Sequence, residues 1–223
     1  MSIAQNIDHT ILKPTTSLED IKKLCAEAGE YSFATVCVPP YFVSESFELL
    51  KDTDVKIATV IGFPFGYNYY TAKMREAEVA IEDGAEEVDM VMNIAAFKNG
   101  DIDYINEEVQ NVLQITQGSN AILKVIIETG VLSDEEIIQC CELYRNYSID
   151  FLKTSTGYAE RGASIEAVAL MRQHLPEHIQ IKASGGIKTF EFANALLKVG
   201  ATRLGCSASV AIIKGEKANS EGY

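Results

Sequence analysis

The sequence predicts an α/β protein folded as one compact (β/α)8 (TIM) barrel, and three observations predict it. Eight short runs rich in β-branched residues recur along the chain, amphipathic stretches separate them, and no Pro/Ser-rich linker, charge block or low-complexity run divides the 223 residues. Strands that alternate with helices pair in parallel, because parallel neighbours need a crossover between them. Eight is the number that closes a barrel, and the length lies at the short end of the range of about 200 to more than 400 residues that barrels occupy. An open doubly wound sheet is the rival, but no GxGxxG follows the first strand.

The elements follow in order. Strands are expected at 7–11, 33–38, 56–62, 87–93, 121–127, 150–154, 179–184 and 202–206. Ser17 can cap a helix over 18–28, with Asp20 three residues on and Gly29 as the stop. A second helix, 71–83, opens at Thr71, puts Ala77, Ala80 and Ile81 on one face and ends at Gly84. Ser133 precedes DEEIIQCCELY, whose three acids lie in the first turn where the helix dipole favours them. Thr189 precedes FEFANALLKV, and Gly200 closes it. Residues 1–223 thus read as one domain, with a polar tail over about 215–223 that is expected to be flexible.

Composition narrows the function. With 47% hydrophobic and 23% charged residues the chain is of ordinary globular type. No apolar run approaches a membrane span, and the segment MSIAQNIDHT lacks the basic flank and apolar block of a signal peptide. A cytoplasmic protein with no membrane association is expected. A net charge of −13 repels polyanions, so nucleic acid is not an expected partner. Five cysteines without a CxxC pair are neither a disulfide framework nor a zinc site. Of the histidines, His174 and His178 are four apart but flank Pro176, which spoils them as a helical ligand pair, so no metal is expected.

Strands of a parallel barrel are covered on both faces and should be almost wholly apolar. Asp89, Lys124, Lys153 and Lys182 break that rule. An unpaired buried charge costs several kcal/mol, so these groups either pair with one another or serve the open end of the barrel. Lys153 and Lys182 fall at the C-terminal ends of strands six and seven, where barrel active sites are built. Two lysines held close, and buried, oppose each other's protonation, which leaves one a neutral amine. Such an amine can attack a carbonyl and form a Schiff base, an electron sink for making or breaking a carbon–carbon bond. Asp89 is then a candidate for the proton shuttle. The bland alternative for each lysine is a structural ion pair or a strand-end side chain reaching solvent.

A second clue is the pair of glycine turns SGG (184–186) and GCS (205–207), each ahead of a helix. Barrels commonly bind phosphate after strands seven and eight, where glycine lets backbone N–H groups approach and a helix N-terminus favours the anion. An ordinary turn is the alternative.

At this point the residues resemble the class I deoxyribose-phosphate aldolases. The likeness runs over essentially the whole chain: IDHTILKP (7–14), VCVPP (36–40), VIGFPFG (60–66), EVDMVMNI (87–94), LKVIIETG (123–130), FLKTSTG (151–157), IKASGGI (181–187) and RLGCS (203–207). The resemblance implies a (β/α)8 fold and reversible cleavage of 2-deoxyribose 5-phosphate to acetaldehyde and glyceraldehyde 3-phosphate, in deoxyribose phosphate catabolism, without metal or organic cofactor. By motif, Lys153 resembles the Schiff-base lysine, Lys182 the lysine that lowers its pKa, and Asp89 the carboxylate of the proton relay. Asp8, Thr10, Cys37 and Lys124 match substrate-site positions, as do Thr154 and Gly157, and Gly185, Gly186 and Ser207 match the phosphate site. For Cys37 a small buried apolar residue is the competing reading.

The chain departs from the pattern in places. Tyr158 follows Gly157 where some members carry a lysine, Ala208 follows Ser207 where some have a second serine, and Pro39 replaces a frequent asparagine. The first two put the charge balance of the phosphate site in question. A terminal tyrosine recurs in the family as an aid to proton transfer, which makes Tyr223 a candidate. The resemblance also implies a homodimer. Two rivals stay open: a Schiff-base barrel for another phosphorylated sugar, and a non-catalytic phosphosugar-binding barrel.

Overall fold

A computed structural model describes residues 3–216, so Tyr223 and the rest of the tail beyond Glu216 lie outside the described residues. Eight strands, β1 (Ile7–Thr10), β2 (Thr35–Val38), β3 (Lys56–Ile61), β4 (Glu87–Val91), β5 (Ile122–Ile126), β6 (Phe151–Lys153), β7 (Gln180–Ser184) and β8 (Arg203–Cys206), pair in chain order and close. Every pairing is parallel, including that of β1 with β8. Among the described residues the helices are α1 (Leu18–Tyr31), α2 (Val43–Leu50), α3 (Tyr70–Glu82), α4 (Ile94–Lys98), α5 (Ile102–Gly118), α6 (Asp134–Tyr144), α7 (Ile165–His174), α8 (Phe190–Lys198) and α9 (Ser209–Lys214). The predicted barrel is the observed one, and each predicted strand is present with its ends trimmed by one or two residues.

The caps explain the helix ends. Ser17 and Ser133 each make a capping box, with Asp20 and Glu136 as the reciprocal partners. Thr189 accepts from the Phe192 N–H at the start of α8. The predicted stop of α1 at Gly29 is wrong. The helix runs on to Tyr31, and Ser32, at φ 55°, ends it with its N–H turned back to the Ala28 and Gly29 carbonyls. A side chain at Gly29 would meet nothing within 4 Å, so neither packing nor backbone conformation asks for a glycine there. α3 starts one residue before Thr71, after Tyr69 rather than from a hydroxyl cap. α7 ends at His174, so His174 and His178 do not share a helix.

The main apolar core lies between the barrel wall and the helices, where Val36, Ile57, Val88, Leu123, Val125, Leu152, Ile181 and Leu204 point outward onto them. The barrel's inner face is divided. β2 and β3 contribute Cys37, Ala58 and Val60, which pack with Leu12 in a small separate apolar cluster. The inward positions of β1 and of β4 to β8 carry charge instead.

Candidate active site

Side chains alternate along a strand, so Glu87 and Asp89 share the inner face of β4. Strand register then aligns Asp89 with Lys124, Lys153 with Lys182, and Lys182 with Arg203. The result is a closed ring of alternating charge. The two Asp89 oxygens accept from Lys124 Nζ and Lys182 Nζ, each at 2.7 Å. Lys182 also pairs with Asp8, and Asp8 Oδ1 accepts from Arg203 Nη1 at 2.6 Å. Arg203 lies 3.0 Å from Glu87, and Glu87 Oε2 lies 2.6 Å from Lys124 Nζ, which closes the circuit. Three carboxylates (Asp8, Glu87, Asp89) face three cations (Lys124, Lys182, Arg203), and all but Arg203 are wholly buried.

Lys153 is the seventh charged group and stands outside the ring. Among the described residues its Nζ has one hydrogen-bonding partner, Asp89 Oδ2 at 2.7 Å, which Lys182 shares. Burial pushes the Lys153 amine below its ordinary range; Asp89 resists, and the neighbouring ammonium of Lys182 adds to the depression. Lys182 differs because Asp8 and Asp89 together outweigh its burial and hold it protonated, well above the usual lysine range. Burial would raise the Asp89 carboxyl, yet Lys124, Lys153 and Lys182 keep it well below the usual carboxylate range. The same contest leaves Asp8 ionised, through Lys182 and Arg203. The amine that burial pushes down is the one the ring does not use.

The glycine turns form the second part. Gly157, Gly185, Gly186, Gly205 and Ser207 line one cavity of about 210 Å³, together with Lys188. Gly185 and Gly186 lie at φ 84° and 77°, positive values that glycine adopts without steric cost. Gly205 couples the cavity to the ring: a Cβ there would come within 2.9 Å of the Ser184 Cβ and 3.2 Å of Lys182 Cε.

Other predicted residues fall around these two parts. Thr10 is buried and donates to the Asp8 carbonyl at 2.8 Å. The buried Cys37 thiol, its pKa raised by burial, sits in the apolar cluster. Thr154 does not line the glycine cavity, since its hydroxyl faces the barrel wall and accepts from the Ser184 N–H at 3.1 Å. Tyr158 turns away from that cavity to donate to the Leu12 carbonyl at 2.8 Å and meets Phe63 edge-on.

Sequence reasoning missed Glu87, Arg203, Glu128 and Lys188. For Glu87 a signal existed, its two-residue spacing from Asp89. For Lys188 there was the position two residues after SGG. Glu128 is a buried, left-handed residue (φ 56°) whose carboxylate accepts from the Thr156 hydroxyl and, at 3.2 Å, from its N–H, so it fixes the turn after Lys153. Only the backbone conformation reveals it.

A model of the DeoC/LacD family of aldolases matches residues 2–212. The chain belongs to that family. The aldolase is 50% identical over 212 residues to a deoxyribose-phosphate aldolase of Caldicellulosiruptor saccharolyticus, covering 95% of this chain and 96% of that one. It is 48% identical over 215 residues to that of Caldanaerobacter subterraneus subsp. tengcongensis, covering 96% and 93%. A crystal structure described as a putative deoxyribose-phosphate aldolase from Coccidioides immitis superposes with a TM-score of 0.91 at 43% identity, over 95% of this chain and 84% of that one. Among the described residues no helix of the aldolase is long and apolar enough to cross a membrane.

Proposed function

We propose that this aldolase reversibly cleaves 2-deoxy-D-ribose 5-phosphate to D-glyceraldehyde 3-phosphate and acetaldehyde through a Schiff base on Lys153. The observation that carries the reading is that Lys153 alone stands outside a charge-balanced ring. The neutral amine attacks the C1 aldehyde of the open-chain sugar, and loss of water gives a protonated imine. The C3 hydroxyl gives up its proton, the C2–C3 bond breaks, and its electron pair passes into the imine to form an enamine. Glyceraldehyde 3-phosphate leaves. Protonation of the enamine at C2 and hydrolysis then release acetaldehyde and restore Lys153.

The protonated imine carries a fixed positive charge where Lys153 Nζ stood, 2.7 Å from Asp89 Oδ2, so Asp89 stabilises it directly. A carboxylate held so far below its usual range is a weak base, and its part in proton transfer is to relay through Lys182 or a water. The phosphate is received by the N–H groups of Gly185, Gly186 and Ser207, with Gly157 in the wall and Lys188 as the cation that Tyr158 does not supply. Asp8 and Lys124 act through the ring, whereas Thr10, Cys37 and Thr154 shape the space around it.

The same reading covers a cytoplasmic enzyme of deoxyribose phosphate catabolism that acts as a homodimer. Exposed Tyr41, Phe65, Tyr67 and Tyr69 are apolar surface of the kind a second copy would cover. Tyr223 remains a candidate for enamine protonation, and its deletion should slow α-proton exchange; unchanged exchange removes it from the mechanism. The reading as a whole is tested by offering deoxyribose 5-phosphate, ketose phosphates and EDTA to the purified protein. Glyceraldehyde 3-phosphate forms from the first alone, unaffected by chelation. Faster turnover of a ketose phosphate, or tight binding of deoxyribose 5-phosphate without product, would overturn it.

A further inference from the structure

The ring extends below the atoms the reaction touches. Glu87 lies two residues before Asp89 on β4, and Arg203 opens β8, so both belong to the floor of the barrel. Neither lines the glycine cavity. The Arg203 guanidinium lies 5.3 Å from the centroid of the Phe151 ring, its Nη1 donates to Asp8 and Glu87, and its side chain is 15% exposed. Glu87 is wholly buried between Arg203 and Lys124.

We infer that Arg203 and Glu87 are positioning residues that set the protonation of Lys153 through the charge count of the ring, Arg203 disfavouring its proton and Glu87 favouring it. This rests on the reading of Lys153 as the Schiff-base lysine. Apart from Lys153 itself on β6, the titratable groups of the barrel interior come from every strand but β3: Asp8 of β1, the Cys37 thiol of β2, Glu87 and Asp89 of β4, Lys124 of β5, Lys182 of β7 and Arg203 of β8, of which Asp89, Lys182 and Cys37 act on Lys153 directly. β3 supplies only Ala58 and Val60. Glu128, in the loop after β5, is turned to Thr156; burial opposes its ionisation, while the Thr156 hydrogen bonds and the charge of Lys153 favour it.

With three carboxylates and three cations in the ring, a proton on Lys153 is a surplus charge in a buried site. Without Arg203 two cations face three carboxylates, and a proton on Lys153 restores the balance. Without Glu87 three cations face two carboxylates, and the proton is more strongly repelled. The two floor residues therefore act in opposite directions on a lysine that neither touches.

The experiment measures kcat/KM for deoxyribose 5-phosphate against pH, and in parallel the labelling of Lys153 by acetaldehyde and cyanoborohydride against pH. The acidic limb of both reports deprotonation of Lys153 in the free enzyme. In Arg203→Met the limb should move up by about one pH unit, roughly a tenfold loss at a fixed pH on that limb. In Glu87→Gln it should move down by a similar amount, and in the double variant, with two cations against two carboxylates, it should return. Arg203→Lys, which keeps the cation, should retain the wild-type limb. If Arg203→Met does not fold, the downward shift in Glu87→Gln and the wild-type limb of Arg203→Lys decide the matter. Limbs that coincide in all variants while activity falls uniformly would reduce both residues to packing and overturn the inference. Wild-type protein that is not labelled at Lys153 would overturn the Schiff-base reading, and this inference with it.

Discussion

Two buried lysines of this aldolase, Lys73 and Lys153, have amines that burial pushes below the ordinary lysine range, yet their surroundings differ. Lys73, on α3, directs its Nζ to the Gly66 carbonyl at 2.6 Å, the Val91 carbonyl at 2.7 Å and Glu108 Oε1 at 2.5 Å. An ammonium has three N–H donors, and all three are used. Glu108 in turn accepts from the Asn93 N–H at 2.9 Å, so the pair ties the loop after β3 to the end of β4 and to α5. Among the described residues Lys153 has one hydrogen-bonding partner, and shares it. A depressed pKa therefore does not distinguish a structural lysine from a reactive one; the number of acceptors around it does.

The sharpest way to break that distinction is to remove each amine in turn. Lys153→Leu should lower turnover of deoxyribose 5-phosphate on the order of 10⁴-fold or more, with the melting temperature close to wild type, read by a coupled aldehyde assay and calorimetry. Lys73→Met should do the reverse. Leaving Glu108 buried without its partner costs about 3–5 kcal/mol of stability, measurable by urea unfolding, while imine formation keeps its pH dependence. Lys73→Met with Glu108→Gln should recover part of that loss.

Lys182→Met comes next. It removes the cation that, with burial, holds the Lys153 amine low, so the pull of Asp89 prevails and Lys153 keeps its proton to higher pH. Activity at neutral pH should fall about 100-fold and recover in part as pH rises; a loss that is equal at every pH would contradict the charge argument. The smallest effect is expected of Lys188→Ala, which should raise KM for the phosphorylated sugar by roughly tenfold and leave labelling by acetaldehyde unchanged, because acetaldehyde has no phosphate.

Much of this comparison was legible in the sequence, and some was not. The eight strands and the positions of Asp89, Lys124, Lys153 and Lys182 were readable because charge in a covered strand has few explanations. Lys73 was not, because a lysine in an amphipathic helix reads as solvated, and only the path of the β3–α3 loop buries it. Arg203 is not legible in the same way, since its partners Asp8 and Glu87 are 195 and 116 residues away. The end of α1 was misread for a local reason: Gly29 looked like a stop, but Ser32 adopts the left-handed conformation that ends the helix.

The most direct test of the claim that Lys153 is the reactive amine is borohydride reduction of the purified protein in the presence of acetaldehyde, followed by peptide mass mapping. An ethyl group on Lys153, with Lys73, Lys124 and Lys182 unmodified, is the predicted result. No adduct, or an adduct on Lys73 or spread over surface lysines, would contradict it.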